Sequence, residues 1–313
     1  MLGLGIGKYK GGGVSASPFS PEVYNTDDSK MVGWWDFSSN EYLRTTISTG
    51  GPGSTKPSSD GDEIRYVSNR CTTTNKLGTY LFQETGSNNY VPRFKTGGQA
   101  GYTYAHFGDT GFTNAYLYGK YSTNSNYGYS GGISSGVFSN MDLNTGNLTT
   151  FIVANANEVN ATTSEHMINL VGRTSGGGMM LLTWAKLNTT DKLKNTFILP
   201  SVSNQSHSGD TVLGTDVYLI TQTYAPTAAN PDFVSRYNGV QDATGNASAV
   251  EEITDAFTRT NSGVAIGTQF TGSAAQTNFS WHGTIYEIIV FDDVLDSDKI
   301  DNMNTYFTSK YSL

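Results

Sequence analysis

The chain has 313 residues, one cysteine, 36 glycines and 19 tyrosines; only 15% of its residues are charged, and its net charge is −8 at pH 7. A single cysteine, Cys71, excludes an intrachain disulfide and a cysteine-based zinc site, and the acidic balance without a dense Lys/Arg run excludes the basic stripe that nucleic acid or an anionic membrane surface needs. No run approaches the roughly 18 apolar residues of a membrane helix, and the length suits one large all-β domain whose core needs no disulfide staple.

Residues 1–28 read as an extended N-terminal arm. Glycines 3, 5, 7 and 11–13 carry high backbone entropy, and Pro18 and Pro21 break regular structure. The opening Met1–Lys8 is too short and glycine-rich for a signal-peptide core, and its basic residues follow the apolar part instead of preceding it. Leu2, Leu4, Ile6, Tyr9 and Phe19 are more apolar residues than a solvated tail holds. They are the expected partner-docking residues of a segment that orders against a neighbour, the other reading being a frayed terminus. Residues 29–313 then form the single folded domain.

The domain opens near Met31-Val32-Gly33-Trp34-Trp35-Asp36-Phe37, whose aromatic density predicts a buried strand. A loop covers residues 50–61. Asp62 to Val67 alternates as a half-exposed strand does, and residues 77–83 and 90–94 predict two short strands. Residues 102–129 hold Tyr116, Tyr118, Tyr121, Tyr127 and Tyr129 among Gly, Ser, Thr and Asn. Tyrosines in this setting serve as core or cross-strand pairs, or as a contact surface for protein or glycan, because they bury large area with two side-chain torsions.

Further strands are predicted over 148–154, 166–171, 179–184, 195–199, 216–224, 233–237, 263–270 and 281–291. Strands joined without intervening helices give an antiparallel sandwich rather than βαβ units. Ile288-Ile289-Val290-Phe291 is apolar on both faces, so this strand belongs at the centre of a sheet. Asp296 to Tyr311 predicts one amphipathic helix, with Ile300, Met303 and Phe307 on one stripe, Asp296 as N-cap and Lys310 at the C-terminal end.

Motifs for chemistry are sparse. The four histidines have no i, i+4 pair; the glycine runs 11–13 and 176–178 lack the context of a phosphate loop; and no Gly-x-Ser-x-Gly elbow occurs. The adjacent carboxylates Glu251-Glu252 and Asp292-Asp293 would point to opposite faces of a strand. Asp60, Asp62 and Glu63 make the densest acidic loop and are the weak candidates for a calcium site, against the reading of a solvated loop. No cofactor is expected.

Three stretches resemble the concanavalin A-like, laminin-G-like jelly roll, over about residues 31–313. Phe233-Val234-Ser235-Arg236-Tyr237-Asn238-Gly239 resembles a family strand ending in an Asn-Gly turn. Val264-Ala265-Ile266-Gly267 resembles the next strand, and Gly283–Phe291 followed by Leu295–Ile300 resembles the closing strand and helix. Lys299 stands where the family often has Glu, which removes a capping box. The resemblance implies an all-β antiparallel sandwich with a short C-terminal helix. Glycoside hydrolases of this fold carry a Glu-x-Asp-x-x-Glu pattern that is absent here, and Glu287, at a common family position, is expected to anchor a loop by hydrogen bonds. The ending Tyr306-Phe307-Thr308-Ser309-Lys310-Tyr311, the glycine-rich start with Pro18-Phe19-Ser20-Pro21, and Trp34-Trp35-Asp36-Phe37 are similar to virion structural proteins of tailed, often marine, bacteriophages. Arg93–Gly98 and Phe107-Gly108-Asp109 echo the same group. That resemblance implies a non-enzymatic virion protein, a decoration, fibre or collar module. It would attach to other virion proteins through the arm and form a homo-oligomer. The alternative is a carbohydrate-binding adhesin for host surface glycans, contacted through the tyrosine-rich stretch.

Overall fold

The computed structural model describes residues 19–48, 51–73, 77, 80–83, 91–108, 115–120, 147–156, 165–174, 179–186, 192–199, 202–225, 232–246, 257–270, 275–276 and 280–313. In chain order the strands are β1 Met31–Asp36, β2 Leu43–Arg44, β3 Ile47–Ser48, β4 Gly51–Pro52, β5 Tyr66–Ser68, β6 Tyr80–Phe82 and β7 Arg93–Lys95. There follow β8 Tyr104–Phe107, β9 Leu117–Lys120, β10 Leu148–Ala156, β11 Glu165–Thr174, β12 Met179–Lys186, β13 Lys192–Leu199 and β14 Val202–Val212. The rest are β15 Tyr218–Ala225, β16 Asp232–Tyr237, β17 Val240–Asn246, β18 Phe257–Ile266, β19 Gln269–Phe270, β20 Ala275–Gln276 and β21 Gly283–Phe291, and the chain closes on helix α1, Ser297–Tyr311.

Two antiparallel sheets face each other. The first runs β17-β16-β15-β10-β21-β8-β7, with β1 also paired to β21; the second runs β14-β13-β12-β11-β18-β9-β6-β5-β2. This is the all-β sandwich with a C-terminal helix that the resemblance implies. β21, with its apolar run Ile288–Phe291, does sit inside its sheet, between β10 and the pair β8 and β1. Period-2 alternation sorts the side chains. Val32, Trp35, Ile152, Ile220, Ile285, Ile288 and Val290 point between the sheets, where they meet Val67, Leu81, Leu117, Ile168 and Val264 of the second sheet. Met31, Trp34, Phe151, Val153, Leu219, Ile289 and Phe291 point outward from the first sheet and are covered by Ile300, Met303, Phe307 and Tyr311 of α1.

The predicted caps and turns form as expected. The Asp296 carboxylate accepts from the Lys299 N–H at 2.9 Å, closing the helix start. Asn238 and Gly239 take φ of 47° and 79° between β16 and β17, the left-handed pair of a tight hairpin. At the edge where β14 and β17 meet, Asp242 of β17 accepts from the Asp210 and Thr211 N–H groups of β14, both at 2.8 Å, and ties the two sheets together.

The described part of the segment read as an extended arm departs from that reading. Residues 21–24 and 27–29 form short 3-10 turns: Ser20 caps the first, and Pro21 begins it with its fixed φ. The Phe19 and Tyr24 rings meet in a tilted contact at 5.3 Å and pack on the outer cluster beneath α1. Asn25 donates to the Arg70 carbonyl and accepts from the Thr72 N–H. Burial of two rings and pairing of a turn amide hold residues 19–28 to the sandwich, so of the expected docking residues Phe19 packs on its own domain. Leu2, Leu4, Ile6 and Tyr9 lie outside the described residues.

Candidate binding surfaces

The densest polar cluster lies between the outer face of the first sheet and α1. Asp36 of β1 and Glu287 of β21 are direct cross-strand partners. A bulge at Tyr286, where the β10 register steps from Glu287 to Ile285, sends Tyr286 outward as well. Two like charges side by side on one face are unfavourable, and cations offset them. Arg70 Nη1 donates to Asp36 at 2.6 Å while its Nη2 donates to Glu22 at 2.6 Å, and its guanidinium lies 3.6 Å over the Trp34 ring. Lys310 Nζ donates to Glu287 at 2.8 Å and stands 3.8 Å from Asp36.

Glu287 is fully buried and accepts in addition from Trp34 Nε1 at 2.7 Å, Tyr311 OH at 2.9 Å and Tyr306 OH at 3.3 Å. A carboxylate has about four acceptor positions, so these donors occupy what Glu287 has to offer. Burial, reinforced by the Asp36 charge, pushes the Glu287 carboxyl above its ordinary value, against the pull of Lys310 and Trp34. Burial and the Glu287 charge likewise push the Tyr306 and Tyr311 phenols up, so both remain donors at neutral pH. The arrangement is an anchor: one carboxylate ties three side chains of α1 to the sheet. Sequence reasoning expected Glu287 to anchor a loop, whereas it anchors helix α1, and it missed Asp36, Arg70, Tyr306 and Lys310 as members of the cluster. Two signals were available. Trp34 and Asp36 share one face of β1, and Tyr306 and Lys310 are an i, i+4 pair on α1.

Beside this anchor is a groove of about 460 Å³, lined by Phe19, Ser20, Tyr102, Thr305, Tyr306, Ser309 and Lys310. Its walls are aromatic, its rim carries hydroxyls, and the charge of Lys310 is already spent on Glu287.

The acidic loop uses its carboxylates locally. Asp60 accepts from Thr96 N–H and Oγ1, both at 2.7 Å; Asp62 accepts from the Ser58 and Ser59 N–H groups at 2.7 and 2.9 Å; Glu63 pairs with Arg65 at 2.6 Å and Arg93 at 3.2 Å. The Thr96 bonds hold Asp60, and the Ser58 and Ser59 amides hold Asp62, below the usual carboxylate range. Among the described residues no three His, Cys, Asp or Glu side chains converge on a metal position.

The tyrosine-rich stretch yields a second surface. Outward residues of β5, β6 and β9 bring Tyr66, Tyr80, Phe82 and Tyr118 into one cluster on the far side of the second sheet. The rings form a row: Tyr66–Tyr80 at 4.7 Å, Tyr80–Phe82 at 6.2 Å, Phe82–Tyr118 at 5.3 Å and Tyr118–Tyr116 at 5.8 Å. Tyr66, Tyr80 and Phe82 are buried, whereas Tyr116 and Tyr118, at one end, are half-buried. Tyr121, Tyr127 and Tyr129 lie outside the described residues. Tyr66 and Tyr80 extend the row beyond the tyrosines that the sequence singled out. Their spacing on separate short strands gave no local sign that they would meet.

No protein-family model matches the chain, and no curated protein matches it. Similar solved structures include the CBM40 of the Ruminococcus gnavus IT-sialidase bound to α2,3-sialyllactose, at 14% identity and a TM-score of 0.37 over 50% of this chain and 82% of that one. Domains LG4-5 of the mouse laminin α1 chain match at 12% identity and a TM-score of 0.38, over 59% of this chain and 41% of that one. A Trypanosoma rangeli sialidase in complex with 2,3-difluoro-KDN matches at 12% identity and a TM-score of 0.46, over 91% of this chain but 34% of its own length.

Proposed function

We propose that the protein works by binding rather than by catalysis, as a jelly-roll adhesion module that holds glycan chains against the aromatic row of its second sheet. The row itself carries the reading. Five rings in continuous contact end in two half-buried tyrosines, Tyr118 and Tyr116. A tyrosine offers an apolar face for the C–H face of a sugar ring and a hydroxyl for its edge, and its two torsions cost little entropy on binding. The carboxylates of the most buried polar cluster, by contrast, are committed to protein donors, which supports the non-enzymatic reading. Saturable binding to a set of neutral and acidic oligosaccharides is expected. Tyr116→Ala combined with Tyr118→Ala should weaken it at least roughly tenfold, the loss of one good stacking contact. Absence of binding across the set, or full binding by the double variant, would remove the reading.

A second reading places the protein in a virus particle, as a decoration, fibre or collar component held by its N-terminal segment. The observation in its favour is the clasp of residues 19–28, which fixes the root of that segment beside α1. Imaging the intact assembly with an antibody to this chain checks it: no label on purified particles would sink it.

A further inference from the structure

We infer that the groove beside α1 is the seat of the chain's own Leu2–Ile6 segment. The clasp of residues 19–28 shows where the first eighteen residues start: Phe19 and Ser20 are themselves walls of the groove, facing Tyr102, Thr305, Tyr306 and Ser309. Met1-Leu2-Gly3-Leu4-Gly5-Ile6-Gly7 alternates a large apolar residue with glycine. In an extended conformation that spacing puts Leu2, Leu4 and Ile6 on one face and leaves the other face bare backbone. A groove of about 460 Å³ walled by Phe19, Tyr102 and Tyr306 offers apolar surface to such a ribbon. Bulkier residues at the glycine positions would widen it. Eighteen residues span at most about 60 Å, so the segment can fold back to its own groove or cross to that of a second copy.

Charge favours the same occupant. The chain is acidic overall, but its first twenty residues carry Lys8 and Lys10 and no acidic residue precedes Glu22. Asp301 is exposed one helical turn before Thr305 on the same side of α1, and Asp27 and Asp28 are exposed on the second of the turns that follow Ser20, while Glu22 is already paired with Arg70. Lys310 at the groove floor is neutralised by Glu287 and does not repel the basic stretch. The patch also continues past the groove in apolar form: Val23, on the turn after Ser20, is 59% exposed.

The inference stands apart from the glycan reading, since the aromatic row is on the other sheet. It is tested in the full-length protein with Leu4→Cys plus Ser309→Cys, joined by a short bismaleimide, against Leu4→Cys plus Ser54→Cys as control. Ser54 is exposed in the loop after β4 and does not line the groove. Cross-linking at Ser309 is expected about tenfold above the control, the enrichment that burial of one leucine side chain gives. A product of monomer mass means the segment folds back, and one of dimer mass means it crosses to a second copy; either supports the seat. Adding Leu2→Ser and Ile6→Ser to the Leu4→Cys, Ser309→Cys protein should lower the yield to the control level. Equal yields at Ser309 and Ser54, or a yield indifferent to the serine substitutions, overturn the inference, whether or not any glycan binds.

Discussion

The two outer faces of the sandwich are built from the same alternation and end differently. On the first sheet, the outward residues Met31, Trp34, Phe151, Val153, Ile289 and Phe291 of β1, β10 and β21 are large and apolar, and the chain supplies its own cover: α1 lays Ile300, Met303, Phe307 and Tyr311 over them. On the second sheet, the outward positions of β5, β6 and β9 are aromatic and polar-tipped, and their row ends in half-buried tyrosines. The first face spends its side chains on internal stability; the second gathers its rings into a row whose last two members are half-buried. A charged anchor is therefore found under the helix, where it fixes position, and a recognition surface is sought where no described helix lies.

The strongest way to break this contrast is to remove the anchor. Glu287→Ala removes the acceptor shared by Lys310, Trp34 and two phenols, and leaves Lys310 only the more distant Asp36, 3.8 Å away. Loss of one partner from a buried ionic cluster costs about 3–5 kcal/mol, so a large drop in the urea midpoint is expected, with glycan binding by the remaining folded protein unchanged. Combining it with Lys310→Met should cost less than the sum of the two single changes, because the orphaned ammonium disappears with its partner. Strict additivity would mean that Glu287 and Lys310 do not act as one unit. A weakened glycan site in folded Glu287→Ala would mean that the two faces are coupled.

A sharper test is the pH dependence of the same anchor. The Glu287 carboxyl is raised above its ordinary value of 4.5, chiefly by burial. The folded protein thus keeps that proton to higher pH than the unfolded chain. By linkage the contribution is fully present below the unfolded value and drains away as pH rises through the folded one. The slope for a single proton is at most about 1.4 kcal/mol per pH unit. Glu287→Gln, which cannot titrate, should flatten the stability profile above pH 4.5 relative to the parent. Parallel profiles for the two proteins would show that the carboxyl is not raised.

Much of the fold was legible, and the gaps have physical causes. β1, β10, β15, β21 and α1 announced themselves through apolar period and capping, because each buries at least one full face. β14, with Val202-Ser203-Asn204-Gln205-Ser206-His207-Ser208, and β17, with Val240-Gln241-Asp242-Ala243-Thr244, were not read as strands. Both are edge strands, where half the backbone groups go unpaired and the side chains carry little apolar signal. The acidic loop drew attention by density alone, yet its carboxylates serve loop amides and arginines. The anchor was half legible: Glu287 stood out as an acid on an apolar strand, whereas Arg70 lies 217 residues away in sequence from Glu287 and reaches Asp36 only through the fold. The Tyr286 bulge, which lets Tyr286 share the outer face with Glu287, has no glycine or proline beside it to mark it in the sequence.

The smallest effect is expected at the rim of the first face, where the β16–β17 hairpin meets α1. Asn238 holds a left-handed φ of 47°, and its Oδ1 accepts from the Leu219 N–H at 2.8 Å. Two contributions are mixed there: a backbone conformation that most residues resist, and one side-chain bond that fixes the hairpin to β15. Asn238→Gly relieves the first and loses the second; Asn238→Ala meets the strain and loses the bond as well. Alanine should therefore be less stable than glycine by about 1 kcal/mol, the cost of a left-handed residue with a Cβ, and glycine less stable than asparagine by about 1 kcal/mol for the missing hydrogen bond. Urea titration of the three proteins resolves both steps. If glycine equals or exceeds asparagine, relief of the left-handed backbone at this position offsets the lost bond to Leu219. Because Asn304 of α1 approaches the adjacent Gly239 at 3.6 Å measured to a Cβ built there, a hairpin loosened in the alanine protein should also loosen the helix cover. Hydrogen exchange at α1 amides should then rise together with that at β16 and β17, while exchange in β5, β6 and β9 stays as in the parent.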